Sequence, residues 1–344
     1  MGAPTRVGLA LGSGSARGLA HIGVLEVLAE EGIPLHCVAG TSIGAVVGGL
    51  WATDSLERYK DILRGLSWWK VMGFFEPALS KAGIFSGGKL VEVLRDLTGE
   101  PRIEALPVRF VAVATDSATG QEVRLFRGDL VEALRASFAI PGLFTPVRWE
   151  ERWLVDGGVK APVPVEAAHA LGATHVIAVN LNTRTPMQAA PGVDAPAAAD
   201  QVVAIGVDET VFVGAPVFRS LEGLDPVLSA ELPVLDASLL EPARTIELEP
   251  LDEDAESGAG WVARMLGRGD AEQPPGLAYT LTRSIDWMQV ELADLQLQRT
   301  RPAVVIEPRC GDVKLFDYDR AAQVIEAGRA ATIAALPQIR ALLG

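Results

Sequence analysis

The chain has 344 residues, 49% of them hydrophobic, and 44 acidic against 30 basic side chains leave a formal net charge of −14. That length can bury a large core in one or two domains, and the acidic balance argues against a nucleic-acid partner and against electrostatic docking on anionic lipid. Two cysteines, Cys37 and Cys310, cannot build a disulfide framework, no spacing marks a metal site, and no run approaches the ~18 apolar residues of a membrane span, so the expectation is a cytoplasmic protein without metal or cofactor.

The head of the chain, Val7-Gly8-Leu9-Ala10-Leu11, is a short apolar run that predicts a buried strand. Its interruption by glycine after only a few residues does not suit a signal peptide. A glycine-rich bend follows, Gly12-Ser13-Gly14-Ser15-Ala16-Arg17-Gly18, and then Leu19, Ile22, Leu25 and Leu28 recur at helical spacing as far as Glu30-Glu31-Gly32. A bend that feeds a helix N-terminus gathers free N–H groups and the positive end of the helix dipole, which suits an anion. The plan then repeats. Cys37-Val38-Ala39 predicts a second strand, Gly40-Thr41-Ser42-Ile43-Gly44 a sharp elbow, and Ile43 to about Trp51 an apolar helix. Such a strained strand-to-helix turn presents Ser42 Oγ, with Gly40 and Gly44 relieving the crowding around it. Cys37 is expected to be buried beside the elbow.

Gly12, Gly14 and Gly18 also fit a dinucleotide-binding loop, but that loop requires an acidic residue at the end of the second strand, where this chain has Ala39-Gly40. Ser67-Trp68-Trp69-Lys70-Val71-Met72-Gly73-Phe74-Phe75 is the most aromatic segment. Trp68, Trp69, Met72, Phe74 and Phe75 are therefore candidates to meet acyl chains or a membrane interface, against the alternative that they fill the core. Farther on, Arg152-Trp153-Leu154 reads as a strand that delivers Asp156 into the tight Asp156-Gly157-Gly158 loop; taken alone this site reads as a hairpin turn, and beside the other two motifs Asp156 is the best candidate base.

The three sites, in this order, resemble the patatin-like phospholipase family, and more closely its small bacterial members. That family pairs a glycine-rich loop bearing an arginine with a Gly-x-Ser-x-Gly elbow and an Asp-Gly-Gly or Asp-Gly-Ala motif. Ser137-Phe138-Ala139-Ile140-Pro141-Gly142-Leu143-Phe144 also looks like the family's segment ahead of the aspartate strand. The likeness covers about residues 6–182 and returns near 283–334. It implies a three-layer α/β/α sandwich with a mainly parallel central sheet, and a Ser–Asp dyad with Ser42 as nucleophile and Asp156 as general base. It also implies an oxyanion hole drawn from Gly12, Ser13, Gly14, Ser15 and Arg17, with Gly157 and Gly158 in support, and an acyl-ester substrate, usually a lipid. Peripheral membrane contact and a homo-oligomer are both compatible with this reading. Its rivals are a Ser–Asp–His triad using His169 or His175, which follow Asp156 in the chain, and a binding protein with an idle site. His21, in the first predicted helix, reads as a packed structural residue.

The alternation of strands and helices stops after Asn180-Leu181-Asn182. Between Thr185 and Thr282 lie 17 acidic and 4 basic residues and 10 of the 22 prolines. The expected organisation is a catalytic domain over 1–182 and 283–344, interrupted at 183–282 by an acidic insertion that serves as a cap, an interface or a decoration. Beyond it, Ile285, Met288, Leu292, Leu295 and Leu297 predict a helix packed on the sheet, 302–306 a last strand, and Asp317 or Asp319 the cap of a final helix from Arg320 to about Ala335.

Overall fold

The computed structural model describes residues 5–66, 70–71, 74, 83–183, 202–205, 211–214, 277–311 and 313–343. The chain divides into two compact units, Met1–Thr185 with Glu256–Gly344, and Pro186–Ala255. In the second unit the described residues form an antiparallel pair of strands, Val202–Ile205 and Val211–Gly214 (β8 and β9 in chain order). The rest of the 183–282 segment is almost wholly outside the described residues, as are Trp68, Trp69, Met72 and Phe75.

The first unit is built from β1 (Val7–Leu11), α1 (Ala20–Glu30), β2 (Cys37–Thr41), α2 (Ile43–Ala52), α3 (Leu56–Arg64), α4 (Gly88–Thr98), β3 (Arg109–Asp116), β4 (Glu122–Leu125), α5 (Leu130–Ser137), β5 (Val147–Trp149), β6 (Arg152–Asp156), α6 (Val165–Ala170), β7 (His175–Val179), α7 (Leu277–Thr300), β10 (Val304–Ile306) and α8 (Ala321–Ala341). The sheet order is β10-β7-β1-β2-β3-β6-β5, with β4 also paired to β3. The pairs from β10 to β3 are parallel, whereas β4 and β6 run antiparallel to β3, and β5 antiparallel to β6.

Strand residues alternate between two cores, as period-2 geometry requires of a sheet covered on both faces. Leu9, Leu11, Val38, Phe110, Ala112, Ile177 and Val179 face one core with α1, α2, α5 and α8. Ala10, Cys37, Ala39, Val111, Val113, Val176 and Ala178 face the other, which α6 and Ala293 of α7 close. The result is the expected α/β/α sandwich. Alanine dominates the second face, so the helices there lie close to the strands. Cys37 is buried on that face at the start of β2, at the opposite end of the strand from the elbow rather than beside it.

Two expectations from the C-terminal region are corrected. Helix α7 exists, but its buried residues are Gln289, Val290, Ala293 and Gln296, while Met288 and Leu295 are each 62% exposed. Leu297 packs against the second core beside Ala293, while Gln289 and Gln296 bond groups of the neighbouring loops. The cap of α8 is Arg320, with no side-chain cap bond; Asp317 instead accepts from the Lys314 backbone N–H at 3.0 Å.

Candidate active site

Strand register alone brings the two distant motifs together. Thr41 of β2 pairs with Val113 of β3, and the next residue, Ala114, pairs with Asp156 of β6, while β4 pairs with Val113 and Ala114 along the opposite edge. The strand ends that carry Ser42 and Asp156 thus meet along one edge of β3. Ser42 Oγ donates to Asp156 Oδ2 at 2.6 Å. The other carboxylate oxygen, Oδ1, accepts the Gly158 N–H at 2.7 Å.

The elbow is strained and held from several sides. Ser42 has φ 56°, a left-handed conformation that costs a non-glycine residue about 1–3 kcal/mol and persists only where its surroundings enforce it. Its N–H donates to Ser137 Oγ at 2.9 Å, and Ser137 Oγ donates in turn to the Val113 carbonyl at 2.6 Å. Thr41 Oγ1 is tied to the Ala161 carbonyl at 2.8 Å. Gly44 must be glycine because a Cβ there would lie 2.2 Å from the Leu11 carbonyl oxygen and 2.6 Å from that of Gly12. Gly40 is equally constrained, with a Cβ falling 2.4 Å from Ala45 Cα. The absence of both side chains lets the elbow helix press against the end of β1, where the glycine-rich loop begins.

The structure narrows which groups of that loop are free. The Gly12 N–H is bound to the Val179 carbonyl at 3.1 Å, and the Ser13 N–H to that of Pro162 at 2.8 Å. The Ala16 N–H binds Leu315 O at 3.2 Å and the Arg17 N–H binds Gly14 O at 3.1 Å. Gly14 and Ser15 keep backbone N–H groups without a partner among the described residues, and Ile43, at the first turn of α2, keeps a third. Arg17 braces the loop. Its Nε donates to the Gly14 carbonyl at 3.3 Å and its guanidinium pairs with Asp286 of α7 at 3.1 Å.

The carboxyl of Asp156 is fully buried, and loss of water lifts its pKa to about 6 against the lowering effect of the bonds from Ser42 and Gly158. No histidine stands between it and Ser42. His21 is buried, its pKa pushed down to about 4 chiefly by desolvation, and its Nε2–H donates to the Gly12 carbonyl at 2.8 Å. His169 Nδ1 bonds the Ala173 carbonyl at 3.0 Å, and His175 lies at the start of β7 beside Thr174 Oγ1 at 3.1 Å, at the opposite end of that strand from the glycine-rich loop. Among the described residues no group of His, Cys, Asp or Glu is placed to hold a metal ion.

Two contributors were not foreseen. Gln289 of α7 accepts from Ser13 Oγ at 2.8 Å, and its Nε2 stands where a Cβ on Gly158 would lie, 2.4 Å away. It therefore bridges the glycine-rich loop and the aspartate turn. The second is a cavity of about 120 Å³ opening on Ser42. It is walled by α3 and α4 residues such as Ile62, Leu63, Leu90 and Leu94, by Phe138, Ile140, Leu143 and Phe144, and by Leu315 and Phe316 from beyond the insertion. Of the aromatic segment, Phe74 lines it.

Comparison with known proteins agrees with this architecture. The profile described as patatin-like phospholipase matches residues 9–169, a span that holds the glycine-rich loop, the elbow and the Asp-Gly-Gly turn. An uncharacterized NTE family protein of Mycobacterium tuberculosis is 35% identical over 341 residues, covering 96% of this chain and 91% of its own. A patatin-like phospholipase domain-containing protein of Caenorhabditis elegans is 36% identical over 188 residues, which is 52% of this chain and 14% of that protein. Neuropathy target esterase sws of Drosophila melanogaster is 30% identical over 187 residues, again 52% of this chain and 13% of its own. With a relative alike along almost its entire length and a family profile spanning all three motifs, the chain belongs to the patatin-like phospholipase family of lipid hydrolases.

Proposed function

We propose that this protein is a serine acyl hydrolase, of the esterase, phospholipase A or lysophospholipase type, working through a Ser42–Asp156 dyad and an acyl-enzyme. The observation that carries the reading is the 2.6 Å bond from Ser42 Oγ to a buried carboxylate at the mouth of an apolar cavity. A serine hydroxyl is a weak nucleophile until its proton has an acceptor. A carboxylate with a pKa near 6 is a stronger base than a free one and is still mostly ionised at neutral pH.

Asp156 Oδ2 takes the hydroxyl proton as Ser42 Oγ attacks the ester carbon. Charge develops on the carbonyl oxygen, and the unpaired N–H groups of Gly14 and Ser15 are the donors for it, with Ile43 N–H as a third. One such donor is worth about 3–4 kcal/mol in comparable sites. Protonated Asp156 returns the proton to the departing alcohol, then activates water to release the acyl group. The cavity walls suit medium or long fatty-acyl chains, including those of phospholipids and lysophospholipids. The 1–182 and 283–344 segments supply this machinery, and 183–282 acts as a cap or an interface.

Replacement Ser42→Ala tests the assignment with a chromogenic fatty-acyl ester. A folded variant without measurable hydrolysis is the expected result. Retained turnover would move the nucleophile elsewhere.

A further inference from the structure

The cavity beside Ser42 carries oxygen atoms that hydrolysis of a plain aliphatic ester does not use. Its walls are otherwise apolar, yet Tyr59 of α3 and Tyr318 also line it. Neither phenolic hydroxyl has a hydrogen-bond partner among the described residues, and neither is among the fully enclosed polar atoms that lack one. Phe74 and Phe316, which line the same cavity, show that a bare ring serves as wall material there.

Burial raises both phenols well above the ordinary tyrosine range, so both stay protonated donors at any working pH. When a plain acyl chain fills the cavity, a phenol hydroxyl in its wall gives up water and receives nothing in exchange. A ligand oxygen at the same depth restores the bond, and a site built to bind an oxygen discriminates strongly against analogues that lack it.

We propose that Tyr318 and Tyr59 form a hydrogen-bonding subsite for an oxygen function carried on the acyl chain, so that esters of hydroxy or oxo fatty acids are preferred over unsubstituted ones. The inference rests on the hydrolase reading above.

The test is a positional series of monohydroxydecanoyl p-nitrophenyl esters set against the unsubstituted decanoyl ester, with the Ser42→Ala protein as blank. At one or more positions wild-type kcat/KM should exceed that for the plain ester by at least about tenfold, equivalent to ~1.4 kcal/mol, mainly through KM. Tyr318→Phe and Tyr59→Phe should each weaken the preference, and the double variant should erase it. A flat positional profile in the wild-type protein overturns the subsite, as does a preference that survives both phenylalanine variants. Labelling of the same preparation by a fluorophosphonate separates the two layers. Labelled protein with a flat profile rejects the subsite alone, whereas unlabelled, inactive protein rejects the hydrolase reading with it.

Discussion

The proposed chemistry turns on a carboxylate that the fold would rather keep neutral. Desolvation raises the Asp156 pKa to about 6, so the protonated form favours the folded state. That contribution is complete below pH ~4, the unfolded aspartate range, and is lost as pH rises through about 6. At neutral pH the ionised group therefore costs the fold up to about 3 kcal/mol. Two outcomes follow for one residue. The acid limb of the kcat/KM profile should have a midpoint near pH 6, where the base loses its proton. Asp156→Asn should lose several orders of magnitude in rate, yet resist urea better than wild type at pH 8, with the advantage shrinking towards pH 5. A stability difference independent of pH would show that the carboxylate is not held charged against its burial.

At the scale of elements, α7 is the helix that ties the site together. Asp286, Gln289, Gln296 and Arg299 recur on one helical face and reach Arg17 and Ser13 of the glycine-rich loop, the 160–163 segment, and Glu166 of α6. Gln289→Leu keeps the volume but removes the acceptor for Ser13 Oγ. Because it loosens the glycine-rich loop relative to the aspartate, kcat should fall about ten- to a hundredfold while KM moves little. Unchanged kcat in a folded variant would reduce the glutamine to a packing role. This helix also marks the limit of what sequence discloses. The strand, bend and helix around residues 12 and 42 were legible because glycine spacing and apolar runs are local signals. Of the apolar residues that predicted α7, Leu297 packs on the second core whereas Met288 and Leu295 are exposed, and Gln289 and Gln296 gave no signal because the loops they satisfy lie far off in the chain. Tyr59 and Tyr318 gave no signal at all, because their common cavity joins parts of the chain that only tertiary packing brings together.

For the whole molecule, the decisive quantity is charge. A formal net charge of −14 repels anionic lipid, and no helix among the described residues is long and apolar enough to cross a membrane. Contact with a bilayer must then come from apolar insertion rather than attraction. Hydrolysis of phospholipid in vesicles rich in anionic lipid should accordingly speed up as salt screens the repulsion, while zwitterionic vesicles should show little salt dependence. Faster turnover on anionic vesicles at low salt would point to a basic docking surface that the composition does not suggest. The pairing of residues 42 and 156 was legible as two motifs but not as a distance. Their meeting depends on the β2–β3–β6 register, a property of the assembled sheet.

The most direct test of the account is covalent capture by a fluorophosphonate with the adduct mapped by mass spectrometry. A single adduct on Ser42, absent from Ser42→Ala and strongly slowed in folded Asp156→Asn, is the predicted result. An adduct on another residue, or full reactivity at Ser42 without the Asp156 carboxylate, would contradict it.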